Sequence, residues 1–139
     1  MAEPRHPHGL VDTSLVIDLG TLDPADLPLE IAISAVTLAE LSAGAHATAD
    51  PNERARRQDR LQRAEATFES WPVDGAVARA YGRVYATVVA GGRKARRRRA
   101  FDLLIAATAL AAGLPLYTRN PSDFHGLEDL IEVVAVPAS

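Results

Sequence analysis

The 139-residue chain contains no cysteine. Without thiols it can form no disulfide, carry no thiol nucleophile and hold no cysteine-ligated zinc or iron–sulfur cluster. Aromatic residues make up only 5% of the chain, whereas 47% of it is hydrophobic, so the core has to be built from aliphatic side chains. A chain of this length and apolar content can bury a core, and we expect one domain over residues 1–139.

Long hydrophobic runs and glycine-rich phosphate loops are also missing. The longest apolar stretch, 103–117, contains Gly113 and Pro115, whereas a membrane span needs about 20 residues. We therefore expect no membrane segment, and the absence of thiols agrees with a cytoplasmic location. The patterns GxxxxGK[ST], GxGxxG and GxSxG do not occur, which argues against nucleotide-binding α/β proteins and serine hydrolases.

Positive charge is scarce outside the middle of the chain. The net charge is −3, but 13 of the 15 basic residues lie within 51–100, together with only 5 of the 18 acidic residues. Nearly all of these basic residues are arginines, and 93–99 is an almost unbroken basic run. This distribution predicts either a polyanionic or acidic partner near the middle of the chain or a solvated helix face.

Apolar strand patterns alternate with helical patterns along the chain. We predict strands at 9–12, 30–34, 114–118 and 131–136, with a short extended piece at 71–73. Helices are predicted from residue 12 or 13 and over 36–47, 51–70, 76–90 and 101–112. Such alternation is typical of an α/β fold with a mostly parallel sheet of four or five strands covered on both faces.

Four acidic residues fall where the strands of this sheet end. Asp12 ends the first strand, Glu40 lies early in the helix after the second strand, and Asp102 opens an apolar helix. Asp123 lies just past the strand that ends at residue 118, close to Asn120. Because the carboxyl ends of parallel strands share one edge of a sheet, the four acids could converge there. Clustered carboxylates repel each other, and a hard cation such as Mg²⁺ relieves that repulsion.

Each of these acids also has a purely structural interpretation. Asp12 could only cap the following helix, and Thr37 to Glu40 matches the T-x-x-E capping box. Asp102 could complement a helix macrodipole, and Asp123 could stabilise a turn. Residue types and spacing alone leave both interpretations open for all four.

Four segments resemble the motifs of the PIN-domain family, in the order in which that family carries them. The segments are LVDTS at 10–14, VTLAEL at 36–41, FDLLIAATA at 101–109 and YTRNPSDF at 117–124. The third is similar to the D-x-x-I-A-A-T-A helix of the VapC branch, and the fourth to its T-R-N-x-x-D-F motif. Together they cover nearly the whole chain.

The resemblance implies a three-layer α/β/α domain and a metal-dependent endoribonuclease. Such a protein is the toxin of a type II VapBC toxin–antitoxin pair, which hydrolyses RNA phosphodiester bonds and stops translation. The implied cofactor is Mg²⁺ or Mn²⁺, and the implied substrate is transfer or ribosomal RNA. The implied partner is a VapB-like antitoxin, in a homodimer or a hetero-oligomer with the antitoxin. An inactive PIN-like binding module is the alternative to the enzyme.

The resemblance also assigns roles to individual residues. Asp12, Glu40 and Asp102 match the three acids of the family site, as metal ligands and catalytic residues. Asp123 matches the acid of the last motif and is the expected fourth ligand, while Asn120 stands where some relatives carry aspartate and is an expected polar helper.

Two further sets of polar residues lie next to these acids in the sequence. By the same resemblance, Thr13 or Ser14 orients metal-bound water. The basic run precedes Asp102, so Arg96, Arg97, Arg98 and Arg99 are candidates for binding RNA phosphates. A solvated loop and a docking site for an acidic antitoxin segment are the alternatives for this run.

Overall fold

The computed structural model describes residues 6–92 and 97–137, in which strands and helices alternate. The strands are β1 (His8–Val11), β2 (Glu30–Ser34), β3 (Glu69–Trp71), β4 (Leu116–Thr118) and β5 (Val133–Ala135). The helices are α1 (Thr13–Asp18), α2 (Ala35–His46), α3 (Pro51–Thr67), α4 (Gly75–Ala90) and α5 (Arg97–Ala112). Short 3₁₀ turns cover Leu19–Thr21, Pro24–Asp26 and Pro121–Phe124.

The strands form one sheet in the order β3-β2-β1-β4-β5, and every neighbouring pair is parallel. The chain builds outward from β1 to β3 on one side, then returns to place β4 against the other side of β1. The strand order therefore reverses between β1 and β4, and in open parallel sheets ligands bind in the crevice at such a reversal. Asp12 follows β1, and Asn120 lies two residues after β4.

Alternating side chains of the central strands enter two separate cores, one on each face of the sheet. In β1, Leu10 joins the core beneath α4 and α5, whereas Val11 joins the core beneath α1 and α3. β2 divides in the same way at Ala32 and Ile33. The period of two and the helices on both faces confirm the predicted three-layer α/β/α architecture.

Several element boundaries differ from those predicted, and proline explains two of them. β3 ends at Trp71 rather than spanning 71–73, because Pro72 has no N–H to donate to a neighbouring strand. β4 begins at Leu116 rather than at 114, immediately after Pro115. Gly113, with φ +67°, ends α5 as predicted, because a residue without Cβ adopts this left-handed conformation freely.

The largest difference is at the start of α5. The apolar pattern predicted a helix from 101, but the helix already includes Arg97. Arginine is a good helix former, and a pattern of apolar residues does not register a polar first turn. Among the described residues, no helix has the length and apolar content needed to span a membrane.

Candidate active site

Asp12 lies at the crevice between β1 and β4 and is only 6% exposed. Its Oδ1 accepts hydrogen bonds from the backbone N–H of Leu15 at 3.0 Å and from Ser14 Oγ at 2.9 Å. Its Oδ2 accepts from Thr118 Oγ1 at 2.5 Å. Burial raises the pKa of Asp12, and these three hydrogen bonds oppose the rise. The cap interpretation is therefore confirmed for Asp12, but its second oxygen is turned toward β4.

Thr118 connects the end of β4 to Asp12, and the sequence analysis did not identify it. Its side chain is fully buried. While Oγ1 donates to Asp12, it accepts the backbone N–H of Asn120 at 3.0 Å. One hydroxyl thus fixes both the Asp12 carboxylate and the chain direction after β4.

Replacement of Thr118 by valine should destabilise the protein by about 1–3 kcal/mol, because it leaves a buried carboxylate oxygen and a backbone N–H without partners. The measurement is urea denaturation, compared with Thr21→Val, which removes an exposed hydroxyl bonded to the Asp18 carbonyl. The control should change stability by no more than about 0.5 kcal/mol. Equal losses in the two variants would show that Thr118 has no special structural role.

Glu40 does not form the capping box that its spacing suggested. Ser34 caps α2 by accepting the N–H of Val36 at 3.0 Å, so Glu40 lies in the second turn. Its Oε1 instead accepts from Thr13 Oγ1 at 2.7 Å. The short α1 segment after Asp12 thereby holds Glu40 toward the end of β1.

Asp102 does not open its helix either. It lies in the second turn of α5, where the helix macrodipole has little effect, so the macrodipole interpretation is wrong. Burial raises the pKa of Asp102 to about 6, with further increases from the charges of Asp123, Glu40 and Asp12. The guanidinium of Arg99, one turn earlier, opposes this rise. The other three acids therefore lie near enough to repel the charge of Asp102.

Asp123 and Asn120 lie at the rim of this acidic cluster, and both are exposed. The N–H of Asp123 donates to the Asn120 carbonyl at 3.0 Å in the 3₁₀ turn, so the predicted turn is present. Its charge nevertheless acts on both Asp12 and Asp102. Asn120 contacts the site through its backbone N–H, whereas the prediction relied on its side chain.

The structure describes only residues 97–99 of the basic run 93–99. Arg96 lies outside the described residues, and Arg97 and Arg98 belong to the first turn of α5, so this part is helix and not a loop. The side chain of Arg99 turns toward the acids. Its Nη2 lies 3.4 Å from the Asp123 carbonyl oxygen, and its Nε is buried without a hydrogen-bond partner among the described residues.

The donor chemistry of the cluster suits a hard divalent cation. All four acidic groups could supply oxygen ligands, which Mg²⁺ and Mn²⁺ prefer, and a cation would relieve the repulsion between them. Within 6–92 and 97–137, however, no three acidic or histidine side chains are arranged as ligands around one point. Hydrogen bonds to Thr118 and Thr13 hold Asp12 and Glu40 instead.

A cleft of about 340 Å³ adjoins Glu40 and was not anticipated from the sequence. It lies between α1, α2 and α3, and Thr13, Arg57 and Arg60 contribute to its lining. The concentration of basic residues within 51–100 predicted either a polyanionic or acidic partner or a solvated helix face. That this face borders Glu40 depends on the packing of α3 against α2.

Comparison with known families identifies the class of protein. The model of the PIN domain matches residues 10–128, a span that includes Asp12, Glu40, Asp102 and Asp123. The chain belongs to the PIN-domain family.

Individual relatives show which members of the family this chain is similar to. Ribonuclease VapC5 of Mycobacterium tuberculosis (strain ATCC 25618 / H37Rv) is 36% identical over 133 residues, covering 92% of this chain and 95% of the relative. Ribonuclease VapC8 of the same strain is 39% identical over 104 residues, covering 73% and 89%. The crystal structure of VapBC-5 from M. tuberculosis, a member of the VapBC family of toxin–antitoxin systems, matches with a TM-score of 0.80 at 36% identity. That match covers 94% of this chain and 98% of the other. Within the PIN family, the chain is therefore similar to the VapC ribonucleases over most of its length.

Proposed function

We propose that this chain is the toxin of a VapBC-type toxin–antitoxin pair and an endoribonuclease that hydrolyses RNA phosphodiester bonds. The observation that carries the proposal is the proximity of four carboxylates at the β1–β4 crevice. Burial raises the pKa of Asp102 there, and the charges of Asp123, Glu40 and Asp12 raise it further. A structural role needs no such accumulation of like charge. Similarity to ribonucleases over most of the chain supports the same function.

We propose Asp12, Glu40, Asp102 and Asp123 as the ligands of Mg²⁺ or Mn²⁺. A bound cation of this kind lowers the pKa of water and neutralises the charge that develops on a phosphate under attack. Hydroxyl groups of the chain orient two of these carboxylates by hydrogen bonds. Thr118 and Ser14 orient the Asp12 carboxylate, and Thr13 orients that of Glu40.

Asp102 has to be ionised to bind a cation. Since burial and neighbouring charges raise its pKa to about 6, cation affinity should increase as the pH rises through that value. Asp102, when ionised, can also accept a proton from water in the crevice, which is the general-base role.

Arg99 is the member of the basic run that we propose to contact RNA. Its guanidinium acts on Asp102 and approaches the Asp123 backbone, and this proximity to the acidic cluster supports a contact with a phosphate bound there. Charge-assisted hydrogen bonds from arginine to phosphate are among the strong polar contacts of proteins.

A VapB-like antitoxin is the proposed protein partner. The support is the similarity to VapBC-5, which is described as a member of a toxin–antitoxin family. Transfer or ribosomal RNA remains the proposed substrate, and the cytoplasm the proposed location.

Purified protein should cleave total bacterial RNA in the presence of Mg²⁺ or Mn²⁺, and EDTA should abolish cleavage because it removes the cation that lowers the pKa of water and neutralises the charge on the phosphate under attack. RNA-end sequencing would locate the cut sites, and Asp102→Asn provides the control for a contaminating nuclease. Cleavage that persists in EDTA, or in the variant, would refute this assignment. RNA binding without any cleavage would favour the PIN-like binding module.

A further inference from the structure

Helix α3 carries five arginines, and one of them differs from the rest in its contacts. Arg56 and Arg57 both pair with Glu53, at 2.6 Å and 3.0 Å. Arg63 pairs with Asp59 at 2.9 Å, and Arg54 donates to the Thr48 carbonyl at 2.9 Å. Within the described part of the chain, Arg60 forms no hydrogen bond and no ion pair, although it is half-buried.

Arg60 shares a cleft with Glu40, one of the four acids of the cluster. It lines the cleft that contains Thr13 and Glu40. It also lines a second cleft of about 340 Å³, between α1 and the C-terminal half of α3, so Arg60 is shared by the two clefts. Both volumes fall in the range of clefts that accept small ligands or parts of larger ones.

We infer that Arg60 binds a backbone phosphate of the RNA strand whose neighbouring nucleotide reaches the acidic cluster. This inference rests on the proposed ribonuclease function. A guanidinium presents five donors, and its planar fork matches the geometry of a phosphate. The other α3 arginines already direct donors at carboxylates or a carbonyl, whereas Arg60 can bind a phosphate without breaking an existing contact.

RNA fits this cleft better than an acidic protein segment does. Glu40 lines the same cleft and is one of the proposed cation ligands, so a strand that occupies this cleft can contact Arg60 and reach the proposed cation together. A peptide carboxylate at the same place meets the same repulsion from Glu40 and Glu53 as a phosphate does, but it carries no phosphodiester for the proposed cation to act on.

The test is binding of a short fluorescein-labelled single-stranded RNA of mixed sequence, measured by anisotropy over a series of salt concentrations. EDTA is present throughout, so that cleavage does not contribute. Arg60→Gln should make the negative slope of log K, where K is the association constant, against log salt less steep by about 0.7. This change corresponds to about fivefold weaker binding at 0.1 M salt. Arg60→Lys keeps the charge and should retain the wild-type slope.

Arg63→Gln is the matched control, because it removes the same charge from the same helix at a side chain that is 79% exposed and already paired. It should change affinity much less than Arg60→Gln, and melting curves establish that all variants are folded. Equal losses in the two glutamine variants, an unchanged slope for Arg60→Gln, or no RNA binding by the wild-type protein would overturn the inference. Weaker binding of a polyglutamate peptide, with RNA binding unchanged, would also overturn it and would make Arg60 a protein-docking residue.

Failure of this inference is distinguishable from failure of the proposed function. If the wild-type protein cleaves RNA with added cation but Arg60→Gln binds and cleaves as well as wild type, only the Arg60 contact is wrong. If Arg60→Gln weakens RNA binding in EDTA but no cation supports cleavage, the contact stands and the ribonuclease activity does not.

Discussion

Growth of a bacterial host should stop when this chain is expressed by itself, and Asp12→Asn should restore growth at equal levels of soluble protein. Asp12 is the buried acid at the β1–β4 crevice, and the amide removes an anionic ligand. Asparagine is as good a helix N-cap as aspartate, so α1 should remain formed. Changes to residues that merely orient a metal ligand typically cost 10–100-fold in affinity or activity, and loss of a ligand should cost more.

Asp74→Asn is the matched control for this growth experiment. Asp74 caps α4 by accepting the N–H of Val77 at 3.0 Å, the same contact that Asp12 makes with Leu15, but it is exposed and lies after the outermost strand, β3. Viable counts after induction are the readout. Growth arrest by Asp12→Asn equal to that by wild type would exclude a cation-dependent site at Asp12, whereas equal relief by Asp74→Asn would show that the effect is not specific to the carboxylate of Asp12.

Divalent cations should stabilise the wild-type protein strongly and Asp102→Asn only weakly. A ligand that binds only the folded state stabilises it by about 2.7 kcal/mol at 100 times its Kd. For a chain of this size that stabilisation raises the melting temperature by about 10 °C. The variant lacks one proposed ligand and should gain much less from Mg²⁺ or Mn²⁺. Melting curves in EDTA and in each ion provide the comparison.

The same two proteins should differ in EDTA in a way that depends on pH. Folding raises the pKa of Asp102 from its ordinary 3.8 to about 6, so the folded state holds this proton more tightly than the unfolded state does. Wild-type stability should therefore fall, relative to that of Asp102→Asn, as the pH rises from about 4 to 6. Above pH 6 the difference should be constant, with the variant melting at the higher temperature. A variant that is less stable than wild type at every pH, with or without cation, would refute the clustering of charge at Asp102.

Much of the architecture could be read from residue patterns, because those patterns depend on local geometry. β2 spans 30–34 as predicted, and α4 begins and ends within one residue of its predicted bounds. The incorrect predictions concern the starts of two helices, α2 and α5, where the residue pattern was misleading. The T-x-x-E spacing at Thr37 and Glu40 resembled a cap, although Ser34 provides it. The polar first turn of α5 carries no apolar pattern, so Asp102 was placed at the start of its helix.

The fold class, the motif order and the choice of the four acids could all be inferred from residue patterns, since each of these depends on consecutive residues. The tertiary structure established that Thr118 bonds to Asp12 and Thr13 to Glu40, because those partners lie 106 and 27 residues apart. It also decided that Arg60 borders the cleft at Glu40, since that contact depends on how α3 packs against α2. Chain geometry sets local patterns, but contacts across the sheet exist only after the separate layers have packed together.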